Sequence, residues 1–338
     1  MIMEEGADGT LVDPSTTAHP VTEEDWIIHA VNIQGVFFER MCRKIIEDTP
    51  RWHVTATNLP VEAPPPSPNT RGKESNLDIR AEIRLDGRDG YQNILTLLVE
   101  CKKNNPDFVK WLFFPKHKSK LNRRDIPITD QVNLHQVWIE YADKLPDKYG
   151  VFPRVSRKGL SSSLHIADEA REVRGNYSSH KNPKDKTKTA NAAISEAAYQ
   201  VALATQAIFQ SETAYLRSSF DRAKLPNGLL GNLPWARQIF VPAIVTSARL
   251  YTCDFDPADV NVASGEIPFE KAAVTEHKYL LYEYPLPRHL QTMPQFPEVT
   301  KAGGDYDLFN RMQIFVVHSG HLSEFIKQLA QEDFWTFV

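Results

Sequence analysis

The stretch from Asn76 to Lys103, NLDIRAEIRLDGRDGYQNILTLLVECKK, constrains this chain more than any other. Leu77, Ile79, Ala81, Ile83 and Leu85 alternate with Asp78, Arg80, Glu82 and Arg84, which is the period of a strand buried on one face. Asp86-Gly87-Arg88-Asp89-Gly90 supplies the glycines of a tight reversal. The apolar run from Ile94 to Val99 then predicts a strand buried on both faces. That run closes in Glu100-Cys101-Lys102-Lys103, and period-2 geometry puts Glu100 and Lys102 on one face. Antiparallel pairing about the reversal brings Asp78 close to both. A solvated Arg/Asp/Glu face with an ordinary Glu100–Lys102 ion pair accounts for Asp78 to Arg84. It accounts poorly for Glu100, because a charge that closes a doubly buried run is costly unless it is paired or bound to metal.

A chain of 338 residues that is 41% apolar can bury a sizeable core. Its three cysteines, Cys42, Cys101 and Cys253, show no paired spacing, which argues against a disulfide framework or a cysteine zinc site and points to a reducing compartment. The first residues are acidic and polar rather than basic and then apolar, and no apolar run approaches the roughly 18 residues of a membrane span. The expectation is a cytoplasmic protein that engages no membrane. Charge is unevenly spread. Residues 103–190 carry 18 Lys and Arg against 10 Asp and Glu, in a chain whose totals are 39 and 43. A basic insertion on an acidic body offers a surface for a polyanion, or else a solvated loop-rich segment.

In chain order, residues 1–22 read as a disordered leader. Thr22 caps a single helix expected from about Trp26 to Asp48, with Glu39 beside its apolar stripe, where a surface glutamate would pair with Arg43 at i+4. A strand near Trp52 is followed by a proline-rich loop and then by the central hairpin. Phe108 to Phe114 forms an apolar patch ahead of the basic run Lys116-His117-Lys118-Ser119-Lys120. A short helix is expected between Val132 and Leu145. Ala190 to about Arg217 is the strongest helix, rich in alanine, and Ile239 to Thr246 is a strand whose Pro242 suggests an edge, a bulge or the strand's first residues. Strands follow at Arg249–Cys253, Tyr279–Tyr284 and Met312–Val317, then a helix from about Ser323.

Convergent carboxylates hold a hard cation such as Mg²⁺ through oxygen while leaving positions for water and substrate phosphate, and Mn²⁺ can substitute. Asp78 and Glu100 supply the carboxylates, and the backbone carbonyl of Cys101 is a further candidate oxygen ligand. Lys102 is placed to orient water and to stabilise charge as it builds on phosphorus. These are the parts of metal-assisted phosphodiester hydrolysis. Asp78 followed by Glu100-Cys101-Lys102 at the end of an apolar strand resembles the PD-(D/E)xK restriction-endonuclease-like nucleases, with Leu77 where the family's name has proline.

That resemblance implies an α/β fold: a restriction-endonuclease-like core of helix, three strands, helix and strand with a mixed sheet, a long basic insertion and a C-terminal α+β extension. The expected segments are 23–102 and 190–250 for the core, 103–189 for the insertion and 251–338 for the extension. It further implies that Asp78 and Glu100 bind metal and Lys102 assists the nucleophilic water. Glu39 of the first helix is implied as a further metal ligand, and Gln200 of the alanine-rich helix as a polar catalytic partner. The activity implied is that of a DNA endonuclease, with a homodimer as one arrangement because cutting both strands needs two active sites. The alternative is a nucleic-acid-binding or scaffold protein that keeps the fold without hydrolysis.

Lys103, Lys116, Lys118 and Lys120 are candidate nucleic-acid contacts, with Trp111, Phe113 and Phe114 either stacking on bases or anchoring the loop in the core. His318 and His321 lack a third ligand in sequence and read as a capping turn. No phosphate-binding glycine loop and no nucleophile elbow is present.

Overall fold

A computed structural model describes residues 22–62, 74–86, 92–104, 109–115, 131–132, 136–142, 145–152, 155–156, 165–173, 192–223, 236–290 and 311–331. The basic run at Lys116, Lys118 and Lys120 and the expected leader lie outside these residues, apart from Thr22 at the leader's end.

The chain begins with α1 (Glu23–Gln34) and α2 (Val36–Glu47). Thr22 caps α1 through a reciprocal box with Asp25. The single helix expected here is two. Gly35 adopts φ 84°, ends α1 in a left-handed cap and starts α2, a conformation that glycine reaches without a Cβ clash. Space alone does not demand glycine, since a Cβ at 35 would meet Lys103 at an ordinary 3.7 Å.

Strands β1 (His53–Glu62), β2 (Glu74–Asp86) and β3 (Gln92–Lys102) form an antiparallel meander. Next come β4 (Lys110–Pro115), β5 (Gln131–Val132), β6 (Gln136–Ala142), β7 (Leu145–Phe152), β8 (Val155–Ser156) and β9 (Ile166–Val173). The helix expected between Val132 and Leu145 is therefore strand. The segment QVWIEYA is β-branched and aromatic, and β6 pairs with both β7 and a core strand, so sheet partners decide its state. The long helix α3 (Ala192–Ala223) is followed by β10 (Ala236–Thr246), β11 (Arg249–Phe255), β12 (Ala272–His277), β13 (Tyr279–Pro285), β14 (Arg311–His318) and α4 (Leu322–Leu329).

Among the described residues, twelve strands share one mixed sheet. Its main path runs β1-β2-β3-β10-β14-β13-β9-β4-β11-β12, with β6 and β7 branching from β10. Strands from 103–189 and 251–338 thus lie in the same sheet as β1–β3 and β10. Strand β10 runs parallel to β3 along its whole length, with α3 preceding it in the chain. Pro242 sits inside this central strand, where the sequence suggested an edge, a bulge or the strand's first residues. On the side away from β3, β6 pairs with Ala236–Ile239 and β14 with Ala243–Thr246, so the proline falls in the gap between two neighbours.

Both sheet faces are covered. Helix α3 lies on one, packing Ile194, Ala197, Ala198 and Val201 with Leu77, Leu98, Phe240 and Ile244. Helices α2 and α4 lie on the other, where Cys42, Ile46, Phe325 and Ile326 meet Ile79, Leu97, Val99 and Val245. Burying each such Val, Leu, Ile or Phe side chain contributes about 1.5–3 kcal/mol. Strand β3 is accordingly apolar on both faces, and β2 buries Leu77 in the α3 cluster and Ile79, Ala81, Ile83 and Leu85 in the α2 cluster. Among the described residues, no helix is long and apolar enough to cross a membrane.

Candidate active site

The β2–β3 register, Ile79 opposite Val99, carries Asp78 to the position beside Glu100. Glu100 lies on the α3 face, because the alternate residues of β3, Leu97, Val99 and Cys101, pack on the α2 side. The backbone N–H of Cys101 donates to Asp78 Oδ2 at 2.6 Å, so Asp78 is pinned to the strand that bears Glu100. Lys102, next but one along the same face, donates from Nζ to Glu196 Oε2 of α3 at 2.9 Å.

Glu100 is 5% exposed, and its Oε2 is buried with no hydrogen-bond partner among the described residues. Burial first, and then the neighbouring charge of Asp78, push its carboxyl up to about 9, against the pull of Lys102. Asp78 is raised to about 6, chiefly by burial, with the Cys101 amide opposing and the Glu39 charge adding to the rise. Among the described residues, the charge of Lys102 only partly offsets an ionised carboxylate pair here. Lys102, the nearby cation, is shared with Glu196.

Glu39 lies in the first turn of α2, where its Oε1 is 3.9 Å from the Cβ position of Gly35. Its expected partner Arg43 instead bonds Glu47 at 2.7 Å. Glu39 is raised by burial, and its charge acts on both Asp78 and Glu100. Gln200 lies one helical turn beyond Glu196, on the same side of α3, and its Oε1 is likewise buried without a partner among the described residues. Lys103 donates to the Asn32 carbonyl at the end of α1. The thiol of Cys101 is buried against Cys42 on the opposite face, where it packs and is pushed up by that contact and by burial.

Two participants, Glu196 and Glu172, were not expected from the sequence. Glu196 had a local signal, four residues before Gln200 on one helix face. Glu172 had none. It reaches from β9 to accept from the N–H groups of Ala193 and Ile194 at 2.7 and 3.3 Å, capping α3 with a buried carboxylate.

Trp111 and Phe113 are fully buried, so they anchor β4 in the core and cannot stack on bases. Phe114 meets Phe255 edge-on. His318 Nδ1 accepts from the Gly320 N–H and His321 pairs with Glu324, forming the capping turn that leads into α4.

No group of three or more His, Cys, Asp or Glu side chains among the described residues is spaced to hold a metal ion. Asp78 and Glu100 alone still fit a hard divalent cation: the donors are oxygens, the local charge is negative, and one buried carboxylate oxygen has no partner among the described residues. Mg²⁺ commonly takes only one or two carboxylates and keeps water or phosphate elsewhere. Comparison of the chain with protein-family models, with curated proteins and with solved structures returns no match.

Proposed function

We propose that this protein is a metal-dependent deoxyribonuclease, an endonuclease, whose α2, β1–β3, α3 and β10 make up a restriction-endonuclease-like core. One observation carries the proposal: a buried Glu100 with an unpartnered oxygen, set beside Asp78 and one alternation before Lys102. The order of elements supports it, since β10 pairs parallel to β3 after the α3 crossover.

Asp78 and Glu100 would hold Mg²⁺ or Mn²⁺, which when bound polarises a phosphoryl group and lowers the pKa of its water. Asp78 is oriented by the Cys101 amide, so its free oxygen is positioned before any ligand arrives. Lys102 supplies the positive charge nearest the carboxylates and is held by Glu196 against drifting into solvent. Burial under α3 keeps the dielectric low, which strengthens each of these interactions. Glu39 contributes further negative charge at the strand end and Gln200 a buried amide.

The test is incubation of the purified chain with plasmid DNA, single-stranded DNA and RNA, each with Mg²⁺, Mn²⁺ or EDTA. DNA cleavage that requires the cation and vanishes in Asp78→Asn, Glu100→Gln and Lys102→Ala is expected. Undiminished cleavage by Glu100→Gln would refute it. The Lys102–Glu196 pair favours one second reading, a nucleic-acid-binding protein without hydrolysis, because the ammonium is already engaged. EDTA-insensitive DNA binding with no product on any substrate would establish that instead.

A further inference from the structure

At the opposite end of β2 from Asp78 lies a cleft of about 530 Å³ lined by Arg51, His53, Thr55, Glu82 and Arg84. Arg51 follows α2 with φ 72°, a left-handed conformation that few non-glycine residues hold. Its Nη2 donates to the Arg84 carbonyl at 2.9 Å, which fixes the guanidinium at the cleft's rim. Among the described residues neither Arg51 nor Arg84 pairs with a carboxylate. Glu82, the acid of the lining, is engaged by Arg80 at 2.8 Å. Two guanidinium groups and an imidazole therefore line an open space, and among the described residues neither guanidinium has a carboxylate partner there. Guanidinium forks match phosphate oxygens better than any other side chain.

Asp78 and Arg84 stand six positions apart in one strand, a separation of about 20 Å. That equals about six base-pair steps of duplex DNA at roughly 3.4 Å each. We infer that the cleft of Arg51, His53 and Arg84 binds a phosphate of the DNA backbone about six base pairs from the position held at Asp78 and Glu100. The inference rests on the nuclease reading for the identity of the polyanion. It departs from the sequence expectation, in which the lysines of the basic insertion made that contact.

The test compares the full chain with Arg51→Asn/Arg84→Thr in EDTA, binding fluorescein-labelled DNA hairpins of about 5 and about 20 base pairs across a salt series. Asn tolerates the left-handed backbone at 51 and Thr suits an exposed strand position, and unchanged thermal unfolding verifies the fold. On the long hairpin the slope of log K against log salt should fall by about 0.9, the value of one phosphate neutralised. On the short hairpin parent and variant should bind alike. Arg84→Thr alone should show about half the change in slope. An unchanged slope on the long hairpin overturns the inference. So does a His53 imidazole resonance that moves with inorganic phosphate while DNA affinity is the same in parent and variant, because the cleft is then a free-anion site. Cleft-dependent binding without cleavage in Mg²⁺ supports the cleft and defeats only hydrolysis. Cleavage without cleft dependence overturns the cleft alone.

Discussion

Replacing Glu100 by glutamine tests the burial argument directly. In the cation-free protein the Glu100 carboxyl, pushed up to about 9, keeps its proton when folded, whereas in the unfolded chain it titrates near 4.5. A folded pKa above the unfolded one means that the stability is whole below pH 4.5 and is lost as pH rises toward 9. Between 4.5 and 7 the unfolded chain releases that proton and the folded chain does not, at about 1.4 kcal/mol per pH unit, so the loss at pH 7 is about 3 kcal/mol. Glutamine has the same shape and never ionises. Glu100→Gln is therefore expected to match the parent near pH 4.5 and to exceed it by about 3 kcal/mol at pH 7, in EDTA. Urea unfolding at pH 5, 6, 7 and 8 measures the difference. Mg²⁺ at about 1,000 times its Kd should reverse the ranking, since it then adds about 4.1 kcal/mol to a protein that binds it and nothing to one that does not. A parent–variant difference that stays flat with pH would show Glu100 already ionised in the folded protein, and the account of an unpartnered buried acid would fall.

The same proton gives a second readout: Mg²⁺ binding at pH 7.5 should release about one proton, measured by calorimetry in buffers of different ionisation enthalpy, and Glu100→Gln should release none. Gly35→Ala forces a Cβ into the left-handed region and should cost about 1–2 kcal/mol, read as a lower thermal midpoint. Glu172→Ala strips the acceptor from the first N–H groups of α3 and should cost about 1–2 kcal/mol in urea unfolding, with cleavage falling as α3 loses its hold on Glu196.

Much of the site was legible in sequence because it sits on one hairpin. Alternation in β2, an unbroken apolar run in β3 and a glycine-rich reversal are local patterns, and a period of two with the antiparallel register then brings Asp78, Glu100 and Lys102 to one strand end. The alanine-rich α3 and the strands β11, β13 and β14 were legible for the same reason. What escaped depends on partners far away in the chain. Pro242 is tolerated mid-strand only because β6 and β14 stop on either side of it. The β6 segment is strand because β10 and β7 offer it hydrogen bonds. Trp111 and Phe113 are core because β4 is enclosed by β9 and β11.

Composition and periodicity thus determined the hairpin, the alanine-rich helix and the chemistry that the hairpin can present. Tertiary structure alone decided which charges are paired, since burial, the Lys102–Glu196 contact, the Glu172 cap and the cleft of Arg51 and Arg84 arise only when strands and helices distant in sequence are packed together. Ionisation energies depend on that packing through desolvation and distance, and neither quantity is written in a local pattern.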